Sequence, residues 1–144
     1  QLQSGKDAGW HVSANRGVLV HHRVALLGRM LSRLIRADEG KLGVRVYHGV
    51  NMALLGATPV ALVSPPSVSF AVDMLLAVAF PLHGHIGMNY VLTDYVPKFI
   101  GKAARGPARV AMFGVTGLTF AGLLKLNVQG PGITGALEAL WRKP

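Results

Sequence analysis

Several side chains that could take part in chemistry lie close together in an apolar stretch of the sequence. Between residues 70 and 96 these are Pro81, His83, His85, Asn89, Tyr90, Asp94 and Tyr95. Imidazole nitrogens bind metal ions, and a phenol or carboxylate can form a hydrogen bond to a bound molecule. Polar groups inside an apolar segment are costly unless they are satisfied, so these residues are candidates for a binding site.

The spacing of the two histidines limits what they can bind together. His83 and His85 are two residues apart, which is about 200° around an α-helix, so at most one of them can bind a given metal. Gly84 and Gly87 remove side-chain bulk beside them, which would let a flat macrocycle approach the backbone, and Pro81 frees a carbonyl. The alternative is that each histidine is a hydrogen-bonded packing residue.

A second group of candidates lies at the far end of the same helix. Asp94 and Tyr95 follow His83 by about one dozen residues, or roughly 18 Å along a helix axis at about 1.5 Å per residue. Because that distance is too long for a single small ligand, the spacing predicts two separate binding sites.

The composition indicates that these candidates lie in a membrane. The 144-residue chain is 51% hydrophobic and 15% charged, and its mean hydropathy is +0.40. Its net charge of +9 could indicate a nucleic-acid partner, but the basic residues lie between long apolar stretches, which favours lipid. The absence of cysteine excludes iron–sulfur ligation, disulfides and thiol nucleophiles in this chain.

Three apolar stretches are long enough to be membrane spans. We place them at 46–63, 74–93 and 110–130, the last containing only Lys125 near its end. Most basic residues precede the first span or lie between the second and third, which predicts that the N-terminus faces the matrix or cytoplasm. Small residues at Gly49, Ala53 and Ala57, and at Gly117 and Ala121, suit close helix packing.

The predicted fold is therefore all-α, with three transmembrane helices preceded by a basic amphipathic helix. Residues 1–44 comprise an irregular arm, to residue 17, and a helix at 18–36 that suits an anionic membrane surface, a partner subunit or plain solvent. Residues 45–130 form the three-helix anchor, and 131–144 a short tail helix.

The G-x-G-x-x-G pattern at 130–135 follows a span rather than a strand, so we interpret it as a turn and not a nucleotide site. Since three helices cover a buried polar group poorly, we expect a hetero-oligomer.

The string LHGHIGMNYVLTDYV at 82–96 resembles the small cytochrome b membrane-anchor subunit of succinate dehydrogenase, respiratory complex II. The resemblance extends from about residue 45 to 142, through Asp73, LTFAGL at 118–123 and Leu140-Trp141. It implies a subunit that is not catalytic on its own but passes electrons from succinate to ubiquinone.

The resemblance also implies roles for individual residues. His83 would be one axial ligand of a haem b whose second axial histidine comes from a large cytochrome b anchor subunit. Tyr95 would donate a hydrogen bond to a ubiquinone carbonyl, with Asp94 ordering the site. Arg45 and His48 lie at the right end of span one to meet a haem propionate, although a snorkelling anchor and a packing histidine are the alternative.

The resemblance further implies two more partners, an iron–sulfur subunit plus a flavoprotein subunit, and no nucleic acid. We expect the mitochondrial inner membrane, or a bacterial plasma membrane, which would obey the same charge rule. Two other functions remain open at this point. One is to anchor a fumarate reductase or another quinone-linked dehydrogenase, and the other is to serve as a structural membrane adaptor without a cofactor.

Overall fold

The computed structural model describes residues 4–63 and 65–142, with side chains from residue 18 onward except at 19, 66 and 67. All of its regular elements are helices, which are α1 (Ser4–Ile35), α2 (Lys41–Val63), α3 (Pro66–Phe99), a 3-10 turn (Lys102–Ala104), α4 (Arg105–Gln129) and α5 (Gly132–Trp141). Three stretches are long and apolar enough to span a membrane: Lys41–Val63, Val68–Phe99 and Lys102–Gln129. The all-α prediction with three spans after an N-terminal helix is confirmed.

The chain divides into two compact units, Gln1–Ile35 and Arg36–Pro144. In the first unit, α1 begins at Ser4, so the prediction of an irregular arm up to residue 17 is wrong. The apolar side chains at its C-terminal half are exposed, as Leu27 at 66% and Leu31 at 51% illustrate. The second unit begins at Arg36, whereas the predicted anchor begins at residue 45.

Each membrane helix is longer than the apolar stretch that predicted it. Helix α2 begins at Lys41 and continues through Pro59, and α3 begins at Pro66, about two turns before Asp73. The helices extend past the uncharged runs because the helical hydrogen bonds depend on backbone conformation and not on side-chain charge. Pro59 therefore does not break α2, although each internal proline removes one backbone donor.

Helix α3 packs against α2, α4 and α5 and forms the centre of the second unit. Ala57, Ala61 and Ala77 are buried with Leu76 and Ile133, and such small side chains let helix backbones approach closely without an aqueous hydrophobic drive. In α4, by contrast, the small residues Gly117 and Ala121 are exposed rather than buried.

A turn at Gly130 and Pro131 leads into α5, as the sequence predicted. Gly132 opens α5 with φ +80°, a conformation that residues with a side chain rarely adopt. The turn brings the N-terminus of α5 against α3, where Gly132, Ile133 and Thr134 are buried.

Candidate functional site

His83 lies half-buried on the face of α3 that meets α2. Its Nδ1 is 2.7 Å from Oδ1 of Asn51 in α2. An amide oxygen only accepts hydrogen bonds, so Nδ1 carries the proton and donates, which leaves the lone pair on Nε2. Within the described part of the chain Nε2 has no hydrogen-bond partner. The imidazole therefore has one nitrogen fixed by the protein and one available for a ligand.

An aromatic side chain of α2 covers one face of the His83 ring. The ring of Tyr47 stacks on it with centroids 5.2 Å apart and planes 18° apart, and Tyr90 meets Tyr47 edge-on at 6.1 Å. The Tyr47 hydroxyl fills the space beside Gly87, where an added Cβ would lie 3.5 Å from it. An added Cβ at Gly84 would meet no atom within 4 Å, so the opening at Gly84 is free while the one at Gly87 is occupied.

His85 has a different environment, although it is only two residues away. It is 4% exposed, and its Nδ1 is 2.9 Å from Oγ1 of Thr116 in α4. The Thr116 hydroxyl donates its proton to the carbonyl of Met112, so at His85 it accepts from Nδ1–H. The other nitrogen, Nε2, accepts from the amide of Asn89 at 3.3 Å. Both ring nitrogens are used within the protein, which makes His85 a structural histidine that joins α3 to α4.

Tyr95 and Asp94 lie near the C-terminal end of α3, outside the buried core. Tyr95 is 54% exposed, its ring stacks on Phe99 with centroids 6.2 Å apart, and the Lys98 ammonium lies 5.7 Å from the ring centroid. Asp94 is also exposed. The phenol is therefore open to a molecule outside this helix bundle, and it lies about three helical turns along α3 from His83.

The sequence analysis missed a buried ion-pair network at the same end of the bundle. Arg109 of α4, 3% exposed, donates to both carboxylate oxygens of Asp38 at 2.6 and 2.7 Å, and to Glu39 at 2.9 Å. It also donates to the hydroxyl of Thr93 at 2.7 Å, and that hydroxyl donates to Asp38. The network ties the turn before α2 to α3 and α4, and Thr93 is adjacent to Asp94. The one sequence signal was an acidic pair, Asp38-Glu39, among many basic residues.

A second buried polar cluster lies where α5 meets α3, and Asp73 is at its centre. The predicted span starts at residue 74, directly after Asp73, but this residue is 2% exposed inside α3. Its carboxylate accepts from the backbone N–H of Thr134 at 3.1 Å and from the Thr134 hydroxyl. Asn127 donates to the Asp73 carbonyl at 2.7 Å and accepts from the N–H of Ile133. Asp73 therefore caps α5 from another helix.

Arg45 and His48 are exposed on α2. Among the residues that the structure describes, neither side chain forms a hydrogen bond or an ion pair. The α2 residues that contact His83 are instead Asn51 and Tyr47, and a propionate contact of Arg45 or His48 stays a prediction.

Comparison with known proteins identifies the family of the chain. The model of the family CybS, succinate dehydrogenase cytochrome B small subunit, matches residues 36–142. The chain belongs to this family. The matched range coincides with the second compact unit and leaves α1 outside it.

Individual relatives give the same result. The mitochondrial succinate dehydrogenase (ubiquinone) cytochrome b small subunit of Homo sapiens is 41% identical over 93 residues, which are 65% of this chain and 55% of the relative. The protein of the same name from Xenopus tropicalis is 41% identical over 94 residues, covering 65% and 58%. The one from Sus scrofa is 40% identical over 93 residues, covering 65% and 55%. The chain thus spans a little over half the length of the curated relatives it matches.

Proposed function

We propose that this chain is the small membrane-anchor subunit of a succinate:ubiquinone oxidoreductase, which contributes one axial ligand to haem b and part of the ubiquinone site. It is not catalytic on its own. The observation that carries the proposal is the His83 imidazole, which donates through Nδ1 to Asn51 and leaves Nε2 available within a membrane-spanning helix of a cytochrome b family.

The residues around His83 fit a haem. Ligating histidines commonly donate their other ring N–H to an oxygen acceptor, as His83 does to Asn51. The open backbone at Gly84 leaves room beside the imidazole. When bound, haem b with two imidazole ligands supplies one-electron transfer and has no open position for oxygen. Of the two histidines in this part of α3, only His83 is suitable, because both ring nitrogens of His85 are occupied.

The second axial histidine would therefore come from a large cytochrome b anchor subunit. A chain without cysteine does not hold an iron–sulfur cluster by thiolates, so an iron–sulfur subunit is a further proposed partner. The family resemblance implies a flavoprotein subunit as well. The named relatives are mitochondrial, and three helices can cross a membrane, so we assign the chain to the mitochondrial inner membrane. The basic residues favour an N-terminus on the matrix side.

Tyr95 is the proposed ubiquinone contact. Its phenol hydroxyl can donate a hydrogen bond to a quinone carbonyl, whose oxygen gains negative charge during reduction. Exposure of the ring supports this role, because a quinone must reach it from outside the bundle, between this chain and a partner. Asp94 beside it would order the site, and the nearby Lys98 ammonium adds positive charge where that negative charge develops.

Helix α1 has a separate proposed role at the membrane surface. Arg29 and Arg33 lie on one side of the helix, and exposed leucines such as Leu27 and Leu31 lie on the other. No acidic residue occurs between residues 18 and 35. A cationic amphipathic helix of this kind binds an anionic lipid surface.

Substitution of His83 tests the proposed ligand. We expect His83→Ala in the assembled complex to abolish the reduced-minus-oxidised absorption band of haem b, because the iron loses an axial nitrogen. Thr116→Val is the matched control, since it removes the hydrogen bond of His85 instead. A b-type band that persists in His83→Ala would show that another residue binds the iron.

Substitution of Tyr95 tests the quinone contact. Tyr95→Phe keeps the ring that stacks on Phe99 and removes the donor, so we expect at least a tenfold lower rate of ubiquinone reduction. Succinate oxidation with an artificial electron acceptor should be unchanged in the same preparation. Equal loss of both activities would indicate a defect of assembly and would contradict the assigned role.

A further inference from the structure

We infer that Asn51 and Tyr47 of α2 are positioning residues for the His83 imidazole, and that the Asn51 hydrogen bond lowers the reduction potential of the haem iron. The inference rests on the proposed function, because it requires Nε2 of His83 to hold that iron. It adds an assignment of residues on a different helix, which the resemblance at 82–96 does not include.

Asn51 and Tyr47 each restrict the orientation of the His83 ring in a different way. Asn51 and Tyr47 are four residues apart on α2 and therefore share a helix face. The 2.7 Å hydrogen bond fixes the rotation of the imidazole, while the parallel Tyr47 ring fixes the plane in which it lies. Together they define the direction in which the Nε2 lone pair points.

The hydrogen bond also changes the electronic character of the ligand. Donation from Nδ1–H to an oxygen acceptor increases the electron density at Nε2, which makes the imidazole a stronger donor to a metal. A stronger donor stabilises ferric iron more than ferrous iron, so the reduction potential falls. Loss of such an outer contact typically changes metal affinity about 10- to 100-fold.

Simple helix packing is the alternative explanation of the Asn51–His83 contact, since polar residues in membrane helices also join one helix to another. A second histidine of α3 allows the two explanations to be compared within the same chain. The His85–Thr116 bond is a similar interhelical contact at 2.9 Å, but the other nitrogen of His85 is already occupied by Asn89. A packing bond should affect stability in both cases, whereas only the bond at His83 should affect the iron.

The test is an optical redox titration of haem b in the purified, assembled complex. For Asn51→Leu we expect the binding of ferric haem to weaken tenfold relative to the binding of ferrous haem. This change raises the midpoint potential by about 59 mV for a one-electron couple. For Asn51→Asp, whose carboxylate is a stronger acceptor, we expect a potential below that of the unaltered protein. Thr116→Val should leave the potential unchanged.

Tyr47 is tested by the low-spin electron paramagnetic resonance spectrum, which reports the orientation of the axial ligands. Tyr47→Phe keeps the stacked ring and should leave the spectrum unchanged, whereas Tyr47→Leu should alter it. An unaltered spectrum in Tyr47→Leu would overturn the role of the stack. Equal potentials in Asn51→Leu, Asn51→Asp and Thr116→Val would overturn the role of the hydrogen bond.

Failure of the inference can be separated from failure of the proposed function. If His83→Ala removes the b-type band but the Asn51 variants do not change the potential, only the inference is wrong. If the band persists in His83→Ala, the ligand assignment itself is wrong. If Asn51→Leu does not assemble, the role of the hydrogen bond is tested by Asn51→Asp alone, which should lower the midpoint potential.

Discussion

The buried ion pair between Arg109 and Asp38 provides the sharpest prediction about stability. Both side chains are 4% exposed, and the guanidinium makes two hydrogen bonds to the carboxylate. Of the donors described for the Asp38 carboxylate, Arg109→Met leaves the Thr93 hydroxyl. An unpaired buried charge destabilises a protein by about 3–5 kcal/mol, so we expect a loss of that size in the free energy of unfolding.

Removing both charges should cost much less than removing one. A buried ion pair carries a large desolvation penalty, and replacement of both partners by apolar residues is often neutral. We therefore expect Arg109→Met with Asp38→Leu to recover most of the lost stability. Glu39→Gln is the matched control, because Glu39 bonds the same guanidinium but its side chain is 45% exposed, and it should change stability by about 1 kcal/mol or less.

The assay is equilibrium unfolding by sodium dodecyl sulfate in mixed micelles, followed by the loss of helical circular dichroism. The two single variants and the double variant form a double-mutant cycle, which isolates the interaction between the two side chains. The reasoning would be refuted if Arg109→Met lost less than about 1 kcal/mol, or if the double variant were as unstable as the sum of the singles.

Three further predictions concern α5 and α1. Asp73→Asn weakens the cap on Thr134 and should destabilise the docking of α5 by about 1.5–3 kcal/mol, which limited proteolysis of the C-terminal helix would detect. Gly132→Ala adds a Cβ against the Asp73 carboxylate at a positive φ, and it should lower the thermal unfolding temperature of the same bundle. Replacing Arg29 and Arg33 by Gln in a peptide of residues 4–36 should weaken binding to acidic vesicles about 30-fold, at about 1 kcal/mol per charge.

Matched controls exist for Gly132→Ala and for the vesicle experiment. Gly106→Ala, where an added Cβ meets no atom within 4 Å, is the control for Gly132→Ala. Unchanged proteolysis in Asp73→Asn would show that the cap does not hold α5 in place. The vesicle experiment is repeated with neutral lipid, where the two peptides should bind equally. Equal binding to acidic vesicles would exclude an electrostatic role for α1.

The sequence alone determined the class of the fold, the three membrane helices and the turn before α5. These features follow from hydropathy, charge spacing and turn residues, which are properties of neighbouring residues in one segment. The limits of the helices did not follow from the sequence, since Arg45 and Asp73, which bound the uncharged runs, lie inside helices. A charged residue ends an uncharged run without ending the backbone hydrogen bonding that defines the helix.

Only the tertiary structure distinguished the two histidines and found the partners of the buried charges. His83 and His85 have similar local sequences. A residue of α2 accepts a hydrogen bond from one nitrogen of His83, whereas a residue of α4 and Asn89 of α3 bind both ring nitrogens of His85. The Asp38–Arg109 contact joins residues 71 positions apart. Helical periodicity shows which residues share a face, whereas the neighbour that meets this face depends on how the other helices pack against it.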